Sequence, residues 1–299
     1  MNAEPITRAR DCLVGLSVGD AFGEMLFGDA ARVAKWIAKR MLPYPFPWLW
    51  TDDTAMAISI VEVLAARQTI DEDLLAAAFA ERWQREPKRG YGRGAEQILE
   101  RVVRGEPWRE AAREAFGGKG SFGNGAAMRA APVGAYFALD LERVVSEALK
   151  SAAPTHAHRD GAAGAVAVAV AAALATRGEV RGVALIEEIA RWTPESATRT
   201  RIERAARLPL DLDVELAGEE LGTGLEISAK DTVPYCVWLA ARFGADYEGA
   251  VWAAASQLGD RDTCAAITGG IVVCAAGVEA IPLLWREATE RLPAESGKD

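Results

Sequence analysis

The chain has 299 residues, half of them hydrophobic and 26% charged, with a formal net charge of -9. That length suits one large domain or two small ones. An acidic chain repels phosphate backbones, which argues against a stable nucleic-acid partner, but its surplus carboxylates can collect cations. At the start, Met1-Asn2-Ala3-Glu4-Pro5 leads to Arg8, Arg10 and Asp11 with no apolar stretch behind them, so no signal peptide is expected. Pro43-Tyr44-Pro45-Phe46-Pro47 reads as a loop running into Trp48-Leu49-Trp50. Ile58, Val61, Leu64 and Ala65 then fall on one helical face, and Leu74, Leu75, Ala78, Phe79 and Trp83 on another. A glycine-rich loop spans Gly117 to Gly125, and both histidines fall in Thr155-His156-Ala157-His158. The apolar run Gly161 to Thr176 is flanked by Arg159, Asp160 and Arg177. It is shorter than the roughly 20 residues a bilayer needs, so it is predicted to be a buried helix rather than a membrane span. A third loop is expected from Leu208 to about Pro234, with Gly222 and Gly224 in it. Val237, Leu239 and Ala240, then Ala250, Val251, Ala254 and Ala255, resume the helical pattern.

No region alternates apolar and polar residues between hairpin turns, so the expectation is an all-α, compact single domain over residues 1–299. Its core is expected at about 8–290, with a frayed tail after Pro293. No coiled coil and no accessory domain names a protein partner. Cys12, Cys236, Cys264 and Cys274 form no C-x-x-C pair and read as small buried hydrophobes in a reducing cytoplasm.

Two segments carry more acid than local structure needs. Thr51-Asp52-Asp53-Thr54 precedes one apolar-periodic helix, and Asp260-Arg261-Asp262-Thr263 precedes another. Asp and Thr are favoured helix caps, and the helix dipole stabilises negative charge there. A cap needs one side-chain oxygen, however, and each segment supplies a carboxylate beyond it. If the two starts converge, four carboxylates crowd together and repel unless cations lie between them. Oxygen-only ligands suit Mg²⁺, Mn²⁺ or Ca²⁺. Two such ions about 3.5–4 Å apart orient a water and polarise a substrate oxygen.

Gly120-Ser121-Phe122-Gly123-Asn124-Gly125 opens a further predicted helix at Ala126. Its glycines let a ligand approach the backbone, and free N–H groups there suit an anion such as a diphosphate; a plain turn and cap is the alternative. It is neither a Walker loop nor a dinucleotide fingerprint. His156 and His158 have the wrong spacing for two zinc ligands on one helical face. His156 is expected to position a substrate or to share a structural hydrogen bond.

Taken in order, Gly15 to Gly23 (GLSVGDAFG), Thr51 to Thr54 (TDDT), Gly123 to Gly134 (GNGAAMRAAPVG), Thr155-His156 and Gly259 to Gly270 (GDRDTCAAITGG) resemble the ADP-ribosylglycohydrolases, the relatives of dinitrogenase-reductase-activating glycohydrolase. Arg89-Gly90-Tyr91-Gly92 and Asp231-Thr232-Val233-Pro234 match more weakly, and the resemblance runs from about Arg8 to Trp285. It implies an orthogonal helical bundle of that family's type, two Mg²⁺ (or Mn²⁺) ions, and a substrate bearing ADP-ribose. It implies metal ligation by Thr51, Asp52, Asp53, Asp260, Asp262 and Thr263. Gly120, Ser121, Phe122, Gly123, Asn124 and His156 resemble the substrate-binding positions. The sequence departs from the pattern at Phe27, where many members carry a glutamate, and at Arg261, where a small residue is common.

The resemblance implies hydrolysis of an ADP-ribosyl linkage, with Asp52, Asp53, Asp260 or Asp262 orienting water and Glu24 as a candidate acid–base. Arg261 would suit an extra phosphate, which motivates a phosphoesterase acting on an ADP-ribose phosphate. Phe27 motivates a third reading, a non-catalytic ADP-ribose binder or structural homologue.

Overall fold

The computed structural model describes residues 3–293. In chain order the helices are α1 (Pro5–Glu24), α2 (Ala30–Lys39), α3 (Asp52–Arg67), α4 (Glu72–Arg85), α5 (Arg93–Val103), α6 (Trp108–Gly118), α7 (Gly125–Met128), α8 (Ala131–Tyr136), α9 (Leu141–Ala152), α10 (Arg159–Arg177), α11 (Val183–Trp192), α12 (Ala197–Ala205), α13 (Val214–Leu221), α14 (Ala229–Phe243), α15 (Tyr247–Ser256), α16 (Arg261–Ala276) and α17 (Leu283–Ala288). A short 3-10 turn, Val278–Ala280, precedes α17. The only β-type pairings among the described residues are single bridges, Trp48 with Thr289 and Gly123 with Ser228. The expected all-α class is what the chain adopts.

Helix starts follow local chemistry. Asp29, Asp71, Asp140 and Ser196 each accept a backbone N–H from the first turn of the helix they precede. Alanine supplies most of the buried length of α10, which is buried on nearly every side. Its length and composition would permit a membrane crossing, but its place is the centre of the core, against α8, α9, α14 and α16.

The contact that sets the site is between α1 and α16, the most extensive helix pair among the described residues, with close approach from Cys12 to Gly23 of α1. Gly15, Gly19 and Gly23 make this possible. A Cβ on Gly19 would lie 2.3 Å from the Ala265 carbonyl oxygen, and one on Gly23 would lie 2.5 Å from that of Arg261. These glycines recur every fourth residue, so they share one face of α1 and let the two backbones nearly touch. Asp20 stands in the middle of this stripe and is thereby brought to the first turn of α16.

Two sequence expectations change. Asp52, Asp53 and Asp262 sit inside the first turns of α3 and α16 rather than ahead of them, because the helices begin directly after Thr51 and Asp260, and only Asp260 stays ahead of its helix. The segment from Leu208 to Pro234 is not one loop: α13 lies within it, and Pro234 is inside α14. Pro234 lies beyond the first turn of α14, where it leaves the Lys230 carbonyl without its intrahelical N–H partner. The tail after Pro293 lies outside the described residues.

Candidate metal centre

Asp20 is fully buried, and its carboxylate is saturated with donors. Oδ2 accepts from Thr51 N (2.9 Å), Thr54 N (3.1 Å) and Thr54 Oγ1 (2.5 Å), and Oδ1 accepts from Thr51 Oγ1 (2.8 Å). A side chain from α1 thus closes the N-terminus of α3. Thr51 is itself the N-cap of α3. With that end satisfied, Asp52 and Asp53 have no capping work left.

The structure brings the two acidic helix starts together. Carboxylate oxygens of Asp20, Asp53 and Asp262 lie within 4.8 Å of one another. Thr263 Oγ1 approaches Asp53 Oδ2 at 3.5 Å. Asp260 occupies the N-cap position of α16 without capping it; Asn124 Nδ2 donates to its Oδ2 instead, at 2.6 Å, and to Thr232 Oγ1 at 3.0 Å. Asp53 Oδ1 and Asp262 Oδ1 are buried with no hydrogen-bond partner. Burial raises Asp20, Asp52, Asp53 and Asp262, and repulsion from neighbouring acids adds to it for the last three. Asp20 is pushed up to about 6 by burial, and Asp52 to about 8 by burial and then the Asp20 charge. Asp53 and Asp262 are also raised well above the ordinary carboxylate value, first by burial, then by Asp20 for Asp53 and by Asp260 for Asp262. Orphaned, buried oxygens in an all-oxygen cluster of this charge fit divalent hard cations.

A cavity of about 410 Å³ opens above the cluster. Its wall includes Asp52, Asp53, Asp260, Asp262 and Thr263, the loop Ser121 to Gly125, and His156. Four expected site residues do not line it. Thr51 is bonded to Asp20 and Asp53, and Gly120, with φ +71°, lies where a Cβ would meet the backbone of Ala157 and His158. Glu24 ends α1 exposed to solvent; partial burial and then the Asp20 charge raise its pKa. Arg261 donates from Nη1 to the Leu26 carbonyl and from Nε to that of Gln257, so its guanidinium ties the α1–α2 connection to α16. That tether explains an arginine inside the last motif without calling on a phosphate. Phe27 is likewise outside the cavity wall and 40% exposed.

Sequence reasoning gave no role to four residues that the geometry makes prominent. Asp20 and Arg129 stand within motifs already quoted, but their contacts are with distant segments. Phe116 sits at φ +52° on the cavity wall, its ring 5.9 Å from that of Phe122, and Ile227, at φ +49°, lines the cavity beside the Gly123 backbone. Bulky residues with positive φ were the available signal only after folding.

Comparison with known proteins agrees with this architecture. The family model described as ADP-ribosylglycohydrolase matches residues 1–298. The ADP-ribosylhydrolase ARH3 of Mus musculus is 29% identical over 333 residues, covering 96% of this chain and 89% of its own. A protein of Archaeoglobus fulgidus is 32% identical over 290 residues, covering 93% of this chain and 90% of its own. A solved structure described as an ADP-ribosylglycohydrolase-related protein complex superposes with a TM-score of 0.67 at 27% identity, covering 96% of this chain and 93% of that one. The chain belongs to the ADP-ribosylglycohydrolase family.

Proposed function

We propose that this chain is a divalent-metal-dependent hydrolase that releases ADP-ribose from an ADP-ribosylated protein, nucleic acid or small molecule. The observation that carries the metal part is the pair of orphaned oxygens, Asp53 Oδ1 and Asp262 Oδ1, in a buried cluster of acids at the cavity floor. Thr51, Asp52, Asp53, Asp260, Asp262 and Thr263 would hold two Mg²⁺ or Mn²⁺ ions. Bound there, the ions would lower the pKa of water and polarise substrate hydroxyls. Asp20 holds Thr51 and the first turn of α3 in place. Asn124 aims Asp260.

The wall above the cluster fits the remainder of ADP-ribose. Ser121 to Gly125 offers backbone unshielded by side chains at Gly123 and Gly125, which suits the diphosphate. The exposed rings of Phe116 and Phe122 offer aromatic faces at the mouth for the base. Outside the cluster the cavity wall carries one acid among the described residues, Glu226, which is exposed and paired with Lys230 at 3.1 Å, so the carboxylates of the cluster are the candidates for orienting water. No observation favours the phosphoesterase reading, since Arg261 is engaged elsewhere. Four free cysteines are compatible with the cytoplasmic setting we keep for it.

The test is a screen of Arg-, Ser-, nucleic-acid- and small-molecule-linked ADP-ribose with Mg²⁺ or Mn²⁺, following ADP-ribose and phosphate separately. Release of ADP-ribose from at least one linkage is expected. Phosphate release alone would point to the phosphoesterase, and tight ADP-ribose binding with no turnover would point to a binder.

A further inference from the structure

Arg129 follows α7 and is completely buried. Nη1 donates to the Gly125 carbonyl (3.0 Å) and the Met56 sulfur (3.4 Å), and Nη2 to the Ser151 carbonyl (3.1 Å) and Thr155 Oγ1 (2.7 Å). The Phe79 ring lies 4.5 Å from Cζ, and Nε has no partner. None of these contacts is a carboxylate. A buried cation without a contacting counter-ion costs stability, which asks what the guanidinium does.

The answer lies in bond direction. Arginine has no acceptor, so Thr155 Oγ1 accepts from Nη2. Thr155 has one hydroxyl proton left to give, and its remaining partner among the described residues is His156 Nδ1, at 2.8 Å. Thr155 is fully buried, so no solvent competes for that proton. Nδ1 therefore accepts, and a neutral imidazole whose Nδ1 accepts carries its proton on Nε2. Among the described residues Nε2 has no hydrogen-bond partner, and it faces the glycine loop: a Cβ on Gly123 would lie 3.4 Å from it, and one on Gly125 3.3 Å. The ring edge lines the cavity between those glycines.

We propose that Arg129 is a positioning residue that, through Thr155, fixes His156 as a neutral Nε2–H donor aimed into the ligand cavity. His156 then grips a phosphoryl or ribose oxygen as a donor and takes no proton from the substrate. The nature of the ligand rests on the ADP-ribosyl reading above; the orientation of the relay does not. Burial, and next the Arg129 charge, hold the His156 pKa well below the ordinary histidine value, which keeps the ring neutral.

The test reads the tautomer directly, by long-range ¹H–¹⁵N correlation on the full chain without ligand. Only two histidines are present, and His158→Gln assigns them. His156 is expected to show a protonated Nε2 and an acceptor-type Nδ1 at neutral pH. Thr155→Val and Arg129→Met are each expected to bring in the Nδ1–H form, and Thr155→Ser to keep the wild-type pattern. In turnover, Thr155→Val should raise KM about tenfold with kcat nearly unchanged, as loss of one substrate hydrogen bond does. A wild-type spectrum with Nδ1–H or a doubly protonated ring overturns the proposal, and so does a Thr155→Val spectrum identical to wild type. The wild-type spectrum decides the bond direction even where a variant does not fold. Because no ligand is needed, its failure is separate from failure of the ADP-ribose release assay.

Discussion

A carboxylate taken out of water costs several kcal/mol unless donors or cations compensate it. Asp20 is compensated by donors, whereas Asp53 and Asp262 each keep a buried oxygen with none. The two kinds of acid should answer differently to mutation. Asp20→Ala strands the N–H groups of Thr51 and Thr54 and is expected to cost about 2–4 kcal/mol in chemical denaturation. Asp20→Asn keeps an oxygen that can accept the three bonds at Oδ2, so it should retain most of that stability. Equal losses in the two variants would contradict this account of Asp20. Asp262→Asn should instead fold well, because it relieves repulsion, yet bind metal poorly and release ADP-ribose at least about 100-fold more slowly. Unchanged turnover would count against the site. Asp52, Asp53, Asp260 and Asp262 were legible in the sequence because each pair exceeds what a cap requires. Asp20 was not, since it lies inside α1 and all its partners are more than a helix away in sequence. Arg261 misled because its charge suggested phosphate, while its partners are carbonyls, one nearby at Gln257 and one distant at Leu26.

At the scale of helices, the site depends on how closely α1 and α16 approach. Gly19→Ala would drive a methyl group into the Ala265 backbone, where no side-chain rotation can relieve the contact. We expect a loss of about 1–3 kcal/mol, read by thermal or denaturant unfolding. We also expect a higher metal concentration for half-maximal turnover, because Asp20 and Asp262 shift with their helices. A neutral effect on both would mean that this close packing does not set the site. The presence of most helices was readable from apolar periodicity, as in α3, α4 and α10. Their boundaries were harder where punctuation residues compete. Gly222 and Gly224, with positive φ, do separate α13 from α14, but Pro234 resembles a breaker and is accommodated inside α14. The glycine stripe in α1 was visible as a motif, yet its meaning needed the partner helix.

For the whole molecule, the acidic cluster sets an unusual stability profile. Asp52 is about 8 in the folded chain against an ordinary 3.8, so between those values the folded state binds more protons than the unfolded state. Stability of the metal-free protein therefore falls as pH rises through that window. The contribution of Asp20, at about 6, has the same sign over a narrower range. With chelator present, melting temperature should be a few degrees lower at about pH 8 than at about pH 6, and saturating Mg²⁺ or Mn²⁺ should flatten that slope by neutralising the cluster. A metal-free melting temperature that climbs steadily across this range would contradict the raised carboxylates. Only the assembled molecule shows this, since no single segment of sequence contains both acidic turns. The assembled cluster is proposed to be a divalent-metal centre serving ADP-ribosyl hydrolysis. It is tested most directly by stripping the protein with chelator and titrating back Mg²⁺ or Mn²⁺ while following ADP-ribose release from a conjugate the enzyme cleaves. Release should be absent in the stripped protein, return saturably with the ion, and stay absent in Asp262→Asn; full release by the stripped protein, or equal rescue of Asp262→Asn, would contradict it.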